Sequence, residues 1–274
     1  MRSDFLEFKK YYKDTIIKIP AVSFFKQSID NKFKHSLNVL HTGIRIMAET
    51  PELESISENF QILAKRALLF HDVGRFEEAV KRYHTPNLTA DTESLNQYDH
   101  GLLGYQTLKS NPTYNDIRIL LAIKYHGKMM EEVKASSLWE EAQNGEHKKE
   151  AEQILYLVRD ADKLANLEKI KKNDKLRKDF FFKLLTKEAL ISGLSQTVKK
   201  QFFAKQTILF PTVHSFADRI LMVLSWFFDL NFQKSKEMFK QKEYTKYLLD
   251  LLAQYHTLTK DIEEIKLFTE DSFK

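Results

Sequence analysis

Glycine occurs 7 times and proline 5 times in 274 residues, about a third of average usage for the two together. A chain this short of turn formers cannot close the many tight turns of a β sandwich or barrel. Leu, Lys, Glu, Ala and Gln fill several windows instead, and all are good helix formers. An all-α fold is the expectation. Hydrophobic residues at 43% and aromatics at 12% suffice for a real core, which excludes intrinsic disorder. The length suits one large domain, or a core domain with an appended one.

The absence of cysteine excludes a disulfide scaffold, a thiolate metal site and a cysteine nucleophile. Any metal must then be held by His and carboxylates. The N-terminal stretch has no apolar h-region of a signal peptide. The most apolar run, Ile220 to Phe228, is too short to span a bilayer. A soluble, cytoplasmic protein without a membrane partner is expected. The net charge of +5 fits ordinary solubility, a small anionic substrate or a nucleic acid.

Hydrophobic periodicity predicts short helices over 4–30 with Pro20 between them, and a helix over 31–49 ended by Thr50 and Pro51. A further helix over 55–73 opens with Ser55 and Glu58 in a capping-box pattern. It closes at Gly74 in the left-handed C′ position. Residues 81–99 turn polar and aperiodic, and a stretch of that length is more often functional than idle. Helices resume at 100–110, at 115–126 and, after a polar stretch near Asn144 and Gly145, at 148–171. The basic-aromatic run from Lys169 to Lys183 is an amphipathic helix or, less favoured, a nucleic-acid surface. Residues 211–274 read as further amphipathic helices, with 220–228 either core or a homo-oligomer face. The division drawn is 1–172 for a metal-binding helical domain and 173–274 for a helical extension, with a single body equally compatible.

Ligand-type side chains recur in order along these helices: His35, the pair His71-Asp72, His100, His126 and Asp162. Inward side chains from different helices are how a helical bundle builds a metal centre. Imidazole with carboxylate suits Mn, Fe, Co, Ni or Zn, with Mg, which favours all-oxygen sites, also admitted. His71-Asp72 closes an apolar helix, Ala67-Leu68-Leu69-Phe70, where an unpaired charge would be costly. The residues alone leave a neutral core His beside a surface Asp as the alternative. For His126 the alternative is a satisfied core histidine, and for His100 a helix-start residue beside Asp99. Asp160 competes with Asp162 but lies on nearly the opposite helix face.

The order His, His-Asp, Asp resembles that of the HD-domain superfamily of metal-dependent phosphohydrolases. The resemblance runs from Lys34 to about Ile170. Lys34-His35-Ser36-Leu37 is similar to the family's opening helix. Leu69-Phe70-His71-Asp72-Val73-Gly74-Arg75-Phe76 is similar to its central motif, and Ala161-Asp162-Lys163-Leu164-Ala165-Asn166 to its closing helix. The resemblance implies an HD-type helical bundle with additional C-terminal helices. It implies that His35, His71, Asp72 and Asp162 bind a first divalent transition metal. His100 and His126 match the extra histidines of subgroups with a second, bridged by Asp72. Asp162 is favoured over Asp160 because a basic residue follows it.

The implied activity is hydrolysis of a phosphate mono- or diester of a small nucleotide-like substrate through a metal-activated hydroxide. Asp72, Arg75 and Lys163 would carry catalysis, and a guanidinium fits phosphate oxygens in bidentate fashion. Arg75, Arg82, His84, Lys163 and Asn166 would contact substrate, with Lys81 to His84 read as a loop. The chain lacks the Gly-Tyr-Pro element of cyclic-dinucleotide phosphodiesterases. Its closing string, Asp162-Lys163-Leu164-Ala165-Asn166, is similar to that of the alarmone hydrolases, yet no nucleotide-synthesising domain is apparent. The nearest likeness is to small stand-alone HD proteins. The alternative from another class is a non-catalytic scaffold stapled by its metal.

Overall fold

The computed structural model describes residues 1–20, 23–54, 56–85, 98–182, 185–254 and 259–273, and contains no strand among them. It divides into two compact units, Met1–Asp162 and Lys163–Lys274. No helix among the described residues is long and apolar enough to cross a membrane.

The first unit holds α1 (Arg2–Ile16), α2 (Phe24–Ala48), α3 (Pro51–Glu54), α4 (Glu58–Phe70), α5 (Gly74–Tyr83), α6 (His100–Lys109), α7 (Ile117–Tyr125), α8 (Met130–Lys134) and α9 (Ser137–Asn144). Most of α10 (Lys148–Lys172) also belongs to it. Several boundaries differ from those the sequence predicts. The second helix starts at Phe24, capped by Ser23, because nothing after Pro20 interrupts its amphipathic pattern. The N-cap of α4 is Ser57, whose side chain accepts from Phe60 N at 3.2 Å. Glu58 is therefore the first helical residue and not the third position of a capping box, and Ser55 lies outside the described residues. Lys81, Arg82 and Tyr83 are the last turn of α5 rather than a loop. The polar residues 86–97 lie outside the described residues. The polar stretch before α10 contains α8 and α9, both too short for periodicity to mark.

Gly74 does not end a helix in a left-handed conformation, since no glycine has positive φ. It opens α5, and what it supplies is lateral space. A Cβ there would overlap the His100 carbonyl oxygen and the Gly104 backbone nitrogen. A Cβ on Gly101 would similarly overlap the Lys124 carbonyl. The first turn of α6 is thus wedged between the start of α5 and the end of α7. Below these helices lies an aromatic floor: Phe8 meets Phe70 and Phe33 at ring-centroid distances of 5.3 Å, and Phe70 meets Tyr114 at 4.5 Å. Phe70 immediately precedes His71, so this packing fixes the turn that carries the His-Asp pair.

The second unit holds the end of α10, then α11 (Asp174–Phe181), α12 (Lys187–Ile191), α13 (Gln196–Phe203), α14 (Phe216–Ser225), α15 (Gln233–Gln241), α16 (Tyr244–Ala253) and α17 (Thr259–Ser272). Its centre is α14, every residue of which is buried. The apolar segment 220–228 thus supplies core along α14. The aromatics of the basic run turn inward as well. Phe181 is buried, Phe182 stacks on Phe216 at 5.1 Å, and Arg219 donates to the carbonyls of Phe180 and Phe181.

Glu168 ties the end of α10 to this unit. It is 2.5 Å from Lys172 and accepts from Lys242 and the Tyr244 hydroxyl, each at 2.7 Å. Burial pushes its pKa up, but these donors prevail and hold it at about 2. A depressed carboxyl stabilises the fold above its unfolded pKa, and that contribution is lost as pH falls through the folded value. Glu168→Gln should therefore lower the melting temperature at neutral pH. Between about pH 4.5 and pH 2 the difference from wild type should shrink, as followed by circular dichroism. Gly74→Ala should destabilise the fold by about 1–3 kcal/mol, because the new methyl group meets backbone and not a movable side chain. Denaturant unfolding of that variant measures the loss.

Candidate metal centre

Each ligand-type side chain of the first unit is placed by a local feature of its helix. His35 lies on the inner face of α2 and is 1% exposed. His71 and Asp72 occupy the turn joining α4 to α5. They are 0% and 3% exposed. His100 opens α6 behind Asp99, whose side chain caps Leu102 N at 3.0 Å. His126 caps the end of α7 and is buried. Asp162 lies well inside α10.

These side chains converge. Asp72 Oδ2 is 3.6 Å from His71 Nε2 and 4.0 Å from His35 Nε2. Asp162 Oδ1 closes the same group, 2.8 Å from His35 Nε2 and 3.8 Å from His71 Nε2. The other oxygen of Asp72, Oδ1, is 3.5 Å from His100 Nε2 and 3.7 Å from His126 Nε2. Those two imidazoles face each other with 3.3 Å between their Nε2 atoms. Among the described residues, His35, His71 and Asp72 form one group able to hold a cation, and Asp72, His100 and His126 form a second. Asp72 is common to both, one oxygen to each.

The tautomers suit this arrangement. His71 Nδ1 is 2.9 Å from the Leu68 carbonyl, and His126 Nδ1 is 3.0 Å from that of Ile123. A carbonyl oxygen only accepts, so in each ring Nδ1 carries the hydrogen and a neutral ring turns a bare Nε2 to the cluster. His71 Nε2 is buried with no hydrogen-bond partner. Burial lowers the His71 pKa to about 4, and burial together with Arg75 holds His100 well below the usual imidazole value. Both rings are neutral at pH 7, the form that ligates metals. Burial works to raise the Asp72 carboxyl, but Lys32, His71 and Arg75 hold it well below the ordinary range. Asp162 is likewise lowered, by its contact with His35. Ionised carboxylates beside the lone pairs of neutral His71 and His100, with His71 Nε2 buried and unmatched, fit a divalent cation.

Neighbours invisible to pattern reading hold the cluster. Lys32, one turn before His35 on α2, donates to Asp72 Oδ2 at 2.9 Å. Arg159, one turn before Asp162, is buried and donates to the carbonyls of Tyr125, His126 and Lys128, which closes the end of α7 beneath His126. Glu78, buried on α5, takes Arg75 Nη1 at 2.8 Å and Arg82 Nη1 at 3.5 Å.

The remaining sequence-derived candidates are spread more widely. Arg75 points Nε at Asp72 Oδ1 from 3.6 Å, with its side chain 30% exposed. Arg82 is half-buried against Glu78, and His84 is exposed at the end of α5. Lys163 and Asn166 belong to the second unit, where Lys163 Nζ pairs with Asp229 at 2.8 Å. Asp160 is fully buried on α10.

Residues 33–167 match the family model of the HD domain, and this chain is an HD-domain protein. That domain defines a superfamily of metal-dependent phosphohydrolases and is all-α, as the fold is here. No curated protein and no solved structure matches the chain. Asp72 belongs to both groups, so Asp72→Asn should abolish divalent metal retention altogether, whereas His100→Ala should lose only the ion of its own group. Elemental analysis of protein purified without chelator should read about two ions per chain in wild type and about one in His100→Ala.

Proposed function

We propose that this chain hydrolyses a phosphate mono- or diester of a small nucleotide-like substrate at a dinuclear centre held by His35, His71, Asp72, His100, His126 and Asp162. The observation that carries the reading is Asp72, buried, with one oxygen facing each histidine group. His-rich ligands with two carboxylates favour Mn, Fe, Co, Ni or Zn. When bound, such ions supply Lewis acidity toward phosphoryl oxygens and make a water nucleophilic at neutral pH.

The chain's own groups do the rest. His71 and His126 are locked in orientation by the Leu68 and Ile123 carbonyls, so their lone pairs are aimed before any ligand arrives. Arg75 is half-exposed and needs only to turn from Asp72 to meet a phosphate oxygen in bidentate fashion. Glu78, which holds its Nη1, keeps the guanidinium oriented. The pairing of Lys163 with Asp229 favours Arg75 over Lys163 as the group that stabilises developing charge. Arg82 and His84, further along α5, would contact the substrate beyond its reacting phosphate.

A panel of nucleotide mono- and diesters assayed with added Mn²⁺ tests this reading. One of them should be turned over, and His71→Ala or Asp72→Ala should reduce that activity by about a thousandfold or more. Undiminished turnover in either variant would sink the assignment.

A further inference from the structure

The oxygen of Asp72 that faces His35 and His71 is already taken. Lys32 Nζ stands 2.9 Å from Oδ2, and among the described residues Asp72 is the partner of that ammonium. Lys32 leaves the same face of α2 as His35, one turn earlier. The Lys32 side chain is 30% exposed, whereas that of Asp72 is 4% exposed. The carboxylate is thus fixed and the ammonium, on a flexible four-carbon stem, is free to move. An ammonium and a divalent cation at contact distance from one carboxylate oxygen repel each other by several kcal/mol even near a protein surface, so each weakens the other's hold on that oxygen.

Given the metal centre proposed above, we propose that Lys32 is a stored phosphate receptor. In the metal-free protein its ammonium neutralises Asp72, and a divalent cation taking Oδ2 releases it to bind a phosphoryl oxygen of the substrate. Arg75, on the Oδ1 side, is tethered by Glu78. Lys32 is the arm that moves. Metal and phosphate binding then reinforce each other, since each favours the state in which Lys32 has left Asp72.

The test titrates metal-free protein with Mn²⁺ alone and Mn-loaded protein with inorganic phosphate, both by calorimetry. Wild type is compared with Lys32→Gln and Lys32→Arg, and with Lys34→Gln, exposed on the same helix, as control. Lys32→Gln should take up its first Mn²⁺ about three- to tenfold more tightly, because the competing cation is gone. Its loaded form should bind inorganic phosphate about tenfold more weakly. Lys32→Arg should restore phosphate binding, and Lys34→Gln should alter neither constant. The melting temperature of Lys32→Gln should lie below wild type without metal and level with it when loaded; a merely structural lysine would lower both. Unchanged or weaker Mn²⁺ affinity, or unchanged phosphate affinity, overturns the role of Lys32 and leaves the metal centre standing. A wild-type chain that takes up no Mn²⁺ overturns both.

Discussion

A carboxylate sealed from water must be met by positive charge at its oxygens, and the interior of the first unit is organised around that demand at Asp72. His71 and His100, neutral at pH 7, offer lone pairs and cannot meet it. Lys32 meets it on Oδ2, and Arg75 approaches Oδ1 from 3.6 Å. Removing water strengthens these attractions and equally the cost of any unmatched group. A cluster of this kind holds together only when a cation is present, whether from the chain or from solution.

Helix ends, more than helix faces, deliver the ligands. His71 follows α4, His100 opens α6 and His126 closes α7. At both C-terminal positions the ring returns its Nδ1 hydrogen to the carbonyl three residues back, to Leu68 in one case and Ile123 in the other. The backbone there has no helical donor left for those carbonyls. One interaction thus satisfies a helix terminus and fixes a ligand. Arg159 does the corresponding work for the carbonyls beyond α7. The small residues at the crossing of α5, α6 and α7 let three such ends approach within reach of one carboxylate.

The ligands themselves could be read from the sequence because His and Asp are conspicuous inside apolar helices, and their order along the chain resembles that of the HD domain. Lys32 and Arg159 could not, because lysine and arginine on helices usually face water. The partner of Lys32 is 40 residues away in sequence, and only tertiary packing brings the two together. Gly74 is visible as punctuation, but local pattern suggests a backbone conformation, whereas the requirement is space for another helix. The cap of α4 falls at Ser57, and a local motif cannot rank two serines two residues apart. The helices near 130–144 escape notice because they are too short to show a period.

Charge balance links the fold to the proposed chemistry. Asp72 is offset in the metal-free protein by Lys32, whose side chain is half-exposed and therefore displaceable. Divalent ions taking up the carboxylate oxygens would leave Lys32 and Arg75 beside a centre already neutralised. The mouth of the site would then change from balanced to positive. An anionic ester would be drawn to that positive mouth, and only to the loaded protein. Selection for a phosphorylated substrate would thus follow from where the displaced cations go as much as from the metal ligands.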